Sequence, residues 1–541
     1  MTSCGEKLVQ LLENYGVDTV FGIPGNHTVQ LYRGLASSTI AHISPRHEQG
    51  AAFMADGYAR ASGKPGVCFL ISGPGLTNAA TAMMQALADS IPMLVITAVA
   101  ARQDLGMGQG RLHELPDQRA LASQCSRFSH TLMRADELPK VLARAFAVFN
   151  SQRPGPVHIE LPLDVITAAA DHVSSVPWPV PSRPGPDPKL IQLAAEKLAA
   201  AAQPLLIVGG GAVAAGDDLC ALAECLDAPV LNTVNAKGLI ACSHPLAVGG
   251  SPSLGVIREE LARADVVLAI GTEFGETDYD MLFVGELNIA GELIRIDIDA
   301  QQLTRNIRPS LALTGDAGLC MQALLQELVQ ELPDATDKSG AARTQAMRAA
   351  ITGEQHYHAD FSRLFETIQQ ALPGLVLVGD STLPTYYAVW QYETEQPRRY
   401  FHSATGGGTL GFAIPAALGA KLAQPDLPVA ALIGDGSAQF TLAELAAGVE
   451  AQLPVAVLIW NNDGYREIKQ GMLAADIEPT GVDIYTPDLL QVAQGLGCQT
   501  ARVESLDELA QVLQDSQTEK RPTVIELRQE DFVSGAVGQW Y

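Results

Sequence analysis

Val429-Ala430-Ala431-Leu432-Ile433-Gly434-Asp435-Gly436-Ser437 and, further on, Val455-Ala456-Val457-Leu458-Ile459-Trp460-Asn461-Asn462-Asp463-Gly464 together decide the fold. Each opens on a short apolar run, as a parallel strand buried on both faces requires, and each run stops at a polar tip containing glycine. Between them Leu442, Leu445 and Val449 keep helical spacing. Twenty-four residues separate Gly436 from Asn461, about what one helix and a return strand need in a right-handed crossover. Both tips then emerge side by side at the carboxyl edge of one sheet, where α/β proteins bind ligands.

The chemistry of those tips is specific. Asp435 and Asn462 offer side-chain oxygens, and Gly464 can add a backbone carbonyl. Three protein oxygens are too few for a calcium cage and suit an octahedral Mg²⁺ completed by phosphate oxygens and water. Gly434 and Gly436 let the backbone approach a diphosphate, and a helix start near Ser437 favours its charge. Gly-Asp-Gly alone is an ordinary turn. Joined to the Asn-Asn tip at this spacing, it resembles the thiamine-diphosphate (ThDP) signature of the 2-oxo acid decarboxylase and acetolactate synthase family.

The chain as a whole is consistent with that resemblance. Its 541 residues are enough for three or four domains, and 47% apolar with 18% charged residues is a globular composition. A net charge of −25 argues against nucleic acid or an anionic membrane as partner. No apolar run reaches the length of a membrane helix, and Met1–Lys7 carries no secretory pattern. The eight cysteines form no Cys-x-x-Cys pair and read as reduced, buried thiols, which points to the cytoplasm.

Ser3–Glu6 is a capping-box pattern before a helix through Leu8, Leu11, Leu12 and Tyr15 that ends at Gly16. Val20 to Gly25 reads as a strand and tight turn, with Asn26 as a cap for the next helix. Arg46-His47-Glu48-Gln49-Gly50 leads into a small-residue helix, through Ala51, Ala52 and Ala55, that should pack deep. Val67 to Ile71 is a strand ending at Ser72-Gly73-Pro74-Gly75, followed by a helix and strand Met93 to Thr97. Gly73 to Pro92 spans 19 positions and Gly434 to Pro454 spans 20, so the first and last thirds read as copies of one α/β unit. Pro-rich residues 176–186 form a stiff linker. Beyond it, Pro204 to Val208 runs into Gly209-Gly210-Gly211, Val266 to Ile270 into Gly271-Thr272, and Leu293 to Asp299 alternates as a strand. The triple glycine lacks the Gly-x-Gly-x-x-Gly pattern and reads as packing. A polar hinge at Leu332 to Thr352 precedes the last third. The expected fold is α/β, with three doubly wound parallel-sheet domains: residues 1–170 (pyrimidine-binding), 187–331 (central) and 353–531 (diphosphate-binding).

The resemblance assigns further roles. Glu48 supplies the carboxyl against N1′ of the aminopyrimidine, and such a group should be buried with a raised pKa. The Gly408 carbonyl accepts from the 4′-amino group, and Leu410 holds the two rings in a V. Ser381 and Thr382, after Asp380, form the other diphosphate loop. Gly25, Asn78, Gly434, Gly436 and Ser437 complete the cofactor contacts, with Asp435, Asn462 and Gly464 on the metal. His27 and His113 are the substrate-side candidates. His402 reads as a strand residue, and the aromatic end, Phe532 to Tyr541, as a frayed tail or a lid.

The family's chemistry implies deprotonation of cofactor C2 and attack of the ylide on the keto carbon of a 2-oxo acid. Loss of CO₂ leaves an enamine, which is either protonated to an aldehyde or added to a second carbonyl. Two chains build each site, so a homodimer or homotetramer is implied. A biosynthetic acetolactate synthase has lysine where this chain has Leu163, and an arginine-containing flavin loop where it has Gly271-Thr272-Glu273-Phe274-Gly275-Glu276. Both departures argue against FAD. Pyruvate decarboxylases place a catalytic glutamate where Ile468 stands and a histidine where Glu114 stands. Gly22 to Thr28 with Leu112 to Pro116 is most similar to bacterial decarboxylases of 5-guanidino-2-oxopentanoate, and Glu114 is the expected partner of a cationic substrate tail. The alternatives are an acetolactate synthase-like carboligase, an FAD-binding oxidoreductase and a ThDP-binding scaffold. The scaffold would have lost Glu48 or a metal ligand; this chain keeps both.

Overall fold

The structure, a computed structural model, describes residues 1–332, 338–354 and 357–534. The C-terminal 535–541 and the first residues of the expected hinge, 333–337, lie outside the described residues. The rest of that hinge is not extended: Gly340–Ile351 is a helix.

Three parallel sheets account for the strands. The first holds β1 (Thr19–Gly22), β2 (Ala41–Ile43), β3 (Gly66–Leu70), β4 (Met93–Val99), β5 (Phe128–Thr131) and β6 (Pro156–Pro162), in the order β2-β1-β3-β4-β6-β5. The central sheet holds β7 (Pro204–Val208), β8 (Val230–Asn232), β9 (Val266–Ile270), β10 (Glu292–Asp297) and β11 (Leu311–Thr314), in the order β11-β10-β9-β7-β8. The third holds β12 (Val376–Gly379), β13 (Tyr400–His402), β14 (Val429–Gly434), β15 (Val455–Asn461), β16 (Gln499–Val503) and β17 (Thr523–Arg528), in the order β13-β12-β14-β15-β17-β16. Renumbered within each sheet, the first and third orders are both 2-1-3-4-6-5. The proposed duplication is thus a shared topology. The winding direction reverses between the first and third strand of each sheet, which opens crevices at β1/β3, β7/β9 and β12/β14. Gly434 pairs in register with Trp460, which sets the two tips level.

The apolar runs form these strands because both sheet faces are covered: every residue of β3, β4, β6, β7, β9, β12 and β14 is buried. The Glu48–Ser62 helix is buried from Gly50 to Ala61 and packs on the Ala413–Ala423 helix of the last third. Gly57 and Gly419 set that approach: a Cβ on either would overlap a backbone carbonyl, Ala416 or Met54 respectively. Gly209 and Gly211 press on Gly271 in the same way, so the triple glycine does pack.

Several local expectations need correction. Asn26 caps nothing; the next helix, Val29–Leu35, starts after Thr28, whose hydroxyl exchanges hydrogen bonds with Gly25 instead. The helix after Ser437 is broken into Asp435–Ala438, a 3₁₀ turn at Leu442–Glu444 and Leu445–Glu450. The break arises because Thr441 donates to the Gly411 carbonyl and Glu444 reaches the first third. Five cysteines are buried, while Cys220, Cys225 and Cys242 are half-buried; none of the eight forms a disulfide among the described residues. Among the described residues no helix is long and apolar enough to cross a membrane.

Candidate active site

The tips of β12, β14 and β15 converge at the carboxyl edge of the third sheet. Asp435 is buried, its Oδ2 accepting from the Gly464 N–H at 2.9 Å and the Thr486 hydroxyl at 3.1 Å. Burial pushes its pKa up, against these hydrogen bonds, and among the described residues no cation pairs with it. The Asn462 amide donates to Gln529 Oε1 at 3.4 Å, and no described donor occupies its Oδ1. A buried carboxylate without a cation, beside a free amide oxygen and the Gly464 carbonyl, is a donor set that a hard divalent ion would complete. No three His, Cys, Asp or Glu side chains gather into a metal cage among the described residues, so phosphate or water oxygens have to supply the rest.

Around these donors the backbone stays open. Tyr465 lies so close to Gly436 that a Cβ there would meet its ring at 2.7 Å. Thr382 caps no amide of the Leu383–Gln391 helix by its side chain, which leaves that N-terminus available to an anion beside Ser381. Ser437 departs from expectation. Its hydroxyl donates to Asp380 Oδ1 at 2.6 Å and accepts from the Gly411 N–H at 2.8 Å. A buried hydroxyl must be satisfied, and here Asp380 does it, so Ser437 offers a ligand its backbone only.

Gly408 has φ +62°, and its carbonyl accepts no hydrogen bond among the described residues. Leu410 beside it is half-buried. Helix Pro74–Ala88 of the first third holds this loop. Fully buried Gln85 accepts from the Thr409 hydroxyl at 2.9 Å and donates to the Thr405 carbonyl at 3.1 Å and to Asp89 at 2.8 Å. Asp89 also receives Arg60 at 2.6 Å, and burial lifts its pKa to about 6. None of Gln85, Asp89 or Arg60 was expected; the partners of Gln85 and Asp89 on the glycine loop lie more than 300 positions away.

The same helix carries Asn78, which donates to Glu48 Oε2 at 2.9 Å. Asn78 therefore orients the catalytic candidate. Glu48 itself is half-exposed rather than buried, and among the described residues no other group bonds its carboxylate. No hydrogen bond or ion pair links it to Asp435, Asn462 or Gly464 among the described residues. What grips its neighbourhood is Glu444, buried and accepting from the Arg46 and His47 N–H groups at 2.9 Å each. Burial raises the Glu444 pKa to about 7, and the charge of Glu48 adds to that rise.

The remaining candidates line the first sheet's crevice. His27 Nδ1 lies 2.6 Å from Ser72 Oγ across β1/β3, and its ring is 5.4 Å from that of His113. Burial, then His113, lowers the His27 pKa. His113 has φ +62° and a buried Nδ1 without a partner. Gln118, also unexpected, holds the tip by accepting from the Gly73 N–H at 2.8 Å. Glu114 is not a free acceptor: its carboxylate takes the N–H groups of Gly108 at 2.9 Å, Gln109 at 3.3 Å and Arg111 at 2.9 Å. It shapes its own loop. His402 ends β13, fully buried, with its pKa pushed down by burial to about 3.

The chain matches the thiamine pyrophosphate enzyme N-terminal TPP binding domain over residues 2–121, the central domain over 191–324 and the C-terminal TPP binding domain over 379–527. It is 46% identical over 532 residues to a probable 2-ketoarginine decarboxylase of Pseudomonas aeruginosa, covering 97% of this chain and 94% of that protein. It is 30% identical over 555 residues to a probable acetolactate synthase large subunit of Methanocaldococcus jannaschii, covering 96% and 91%. It is also 30% identical over 571 residues to the acetolactate synthase large subunit of Corynebacterium glutamicum, covering 99% and 87%. On three matched domains and relatives aligned over nearly the whole chain, the chain belongs to the family of thiamine pyrophosphate enzymes.

Proposed function

We propose that this protein is a ThDP- and Mg²⁺-dependent decarboxylase of 5-guanidino-2-oxopentanoate, working as a homodimer or homotetramer whose sites are shared between chains. The observation that carries the reading is the buried, cation-free Asp435 flanked by Asn462 and Gly464, matched in the other copy of the unit by the Asn78–Glu48 pair. The substrate follows the relative named a probable 2-ketoarginine decarboxylase. Chain pairing is supported by half-exposed Glu48 and by exposed apolar side chains of the third domain, Phe440, Ile468, Leu473 and Ile477, which a second chain would cover.

Asp435, Asn462 and the Gly464 carbonyl would hold the metal, and the amides after Thr382 and Gly434 the diphosphate. Gly408 would accept the 4′-amino group and Leu410 support the bend. When bound, the cofactor supplies an electron sink for the pair released as CO₂ departs. Glu48 moves a proton at the aminopyrimidine, oriented by Asn78. His27 and His113, sharing one crevice, handle the proton at the substrate end. The reaction balances as 2-oxo acid plus one proton giving aldehyde plus CO₂.

FAD is left out of the proposal. A cavity of about 280 Å³ opens at the central crevice. Its wall includes Asp278, whose pKa burial raises to about 7, and Glu273, from the stretch where flavin-binding relatives carry arginine, together with Arg60, Arg153, Arg183 and Arg398. The carboligase remains the second reading because of the acetolactate synthase relatives. CO₂ release from a panel of 2-oxo acids with Mg²⁺ and ThDP separates the two. The guanidino aldehyde as product, lost with EDTA, is expected; a hydroxyketone as main product, or no CO₂, overturns the proposal.

A further inference from the structure

A guanidinium substrate needs an acceptor, and Glu114 already accepts three N–H groups of its own loop. At the edge where the cofactor would lie, the other buried acids are also engaged: Asp435 by Gly464 and Thr486, Asp380 by Ser437 and Ala413. Asp483 pairs with Lys469 at 2.6 Å. Glu467 differs. It lies in the first turn of helix Arg466–Ala474, which follows the Asn462–Gly464 tip directly, and it is half-buried. Among the described residues it forms no ion pair or hydrogen bond. The ionisable group that feels its charge is Tyr387, on the helix that follows the Ser381–Thr382 tip. Glu467 thus stands at the very start of the helix that leaves the Asn462–Gly464 tip.

The geometry points to Glu467 as the specificity-determining residue that receives the cationic tail of the substrate; this rests on the decarboxylase reading above. Burial alone raises its pKa, to about 7. A desolvated carboxyl with no cation is costly to ionise, and an arriving guanidinium repays that by two charge-assisted hydrogen bonds. Its neighbour Ile468, where pyruvate decarboxylases have a catalytic glutamate, is exposed. One residue along a helix turns the side chain by about 100°, so the acid here serves a different wall of the pocket.

The test uses the full chain loaded with Mg²⁺ and ThDP, and substrates of equal reach. These are 5-guanidino-2-oxopentanoate, its neutral ureido counterpart and 2-oxooctanoate. Wild type is expected to prefer the guanidino acid. Glu467→Gln should lower kcat/KM for it about 10- to 100-fold, leave the ureido acid within about twofold, and weaken calorimetric binding of unreactive 4-guanidinobutanoate by the same factor. Glu467→Asp, which keeps the charge, should retain part of the preference and decides the matter if the glutamine variant does not fold. A guanidino preference that survives in Glu467→Gln, or an equal loss on all three acids, overturns the role of Glu467 alone. Wild type with no guanidino preference overturns the substrate reading, and Glu467 with it.

Discussion

Among the described residues the Glu48 carboxylate hydrogen-bonds to Asn78 alone, and the residue is half-exposed. A group in that position can exchange a proton with a bound ring, whereas Glu114 already accepts three N–H groups that hold it to its own loop. Glu48→Gln removes the exchangeable proton while keeping size and the Asn78 contact. CO₂ release should fall about 10²- to 10⁴-fold, with Mg²⁺-dependent ThDP binding, followed by tryptophan quenching, almost unchanged. Equal loss of binding and turnover would give Glu48 a structural role instead.

At the scale of elements, the contact between the Glu48–Ser62 and Ala413–Ala423 helices is the closest meeting of the first and last thirds. A methyl group at Gly57 has nowhere to go but the Ala416 carbonyl. Gly57→Ala should therefore cost about 1–3 kcal/mol by overpacking, read as a lower melting temperature without a change in substrate preference. The glycine- and alanine-rich pattern of that helix announces its burial, and the apolar runs announce the parallel strands, because both follow from local composition. The clasp of Gln85 and Asp89 on Thr405 and Thr409 does not, since its two sides are more than 300 positions apart. Leu442, Leu445 and Val449 keep a helical period, yet the backbone breaks there to let Thr441 and Glu444 reach distant partners. Glu114 looked available because nothing in its neighbours reveals that the loop turns its own amides inward. Nothing in the sequence around Glu467 sets it apart, and only the fold shows Lys469 committed to Asp483.

Across the whole molecule, Glu444 ties the last third to the first. Its folded pKa, about 7, lies above the ordinary carboxylate value of 4.5. Below pH 4.5 both folded and unfolded chains hold the proton, and the group contributes nothing. As pH rises from 4.5 towards 7 the unfolded chain releases its proton first, so stability falls, by up to about 3 kcal/mol, and levels off above 7. Glu444→Gln has no proton to lose, and its melting temperature should decline less across that window than that of wild type. Parallel curves would remove Glu444 from the account. The strand order 2-1-3-4-6-5, written twice in one polypeptide, has a consequence of another kind. Duplication of a single ancestral module leaves this trace. A module that once gripped its ligand against an identical twin would need only to be fused and to diverge, one descendant keeping the acid, the other the cation clamp.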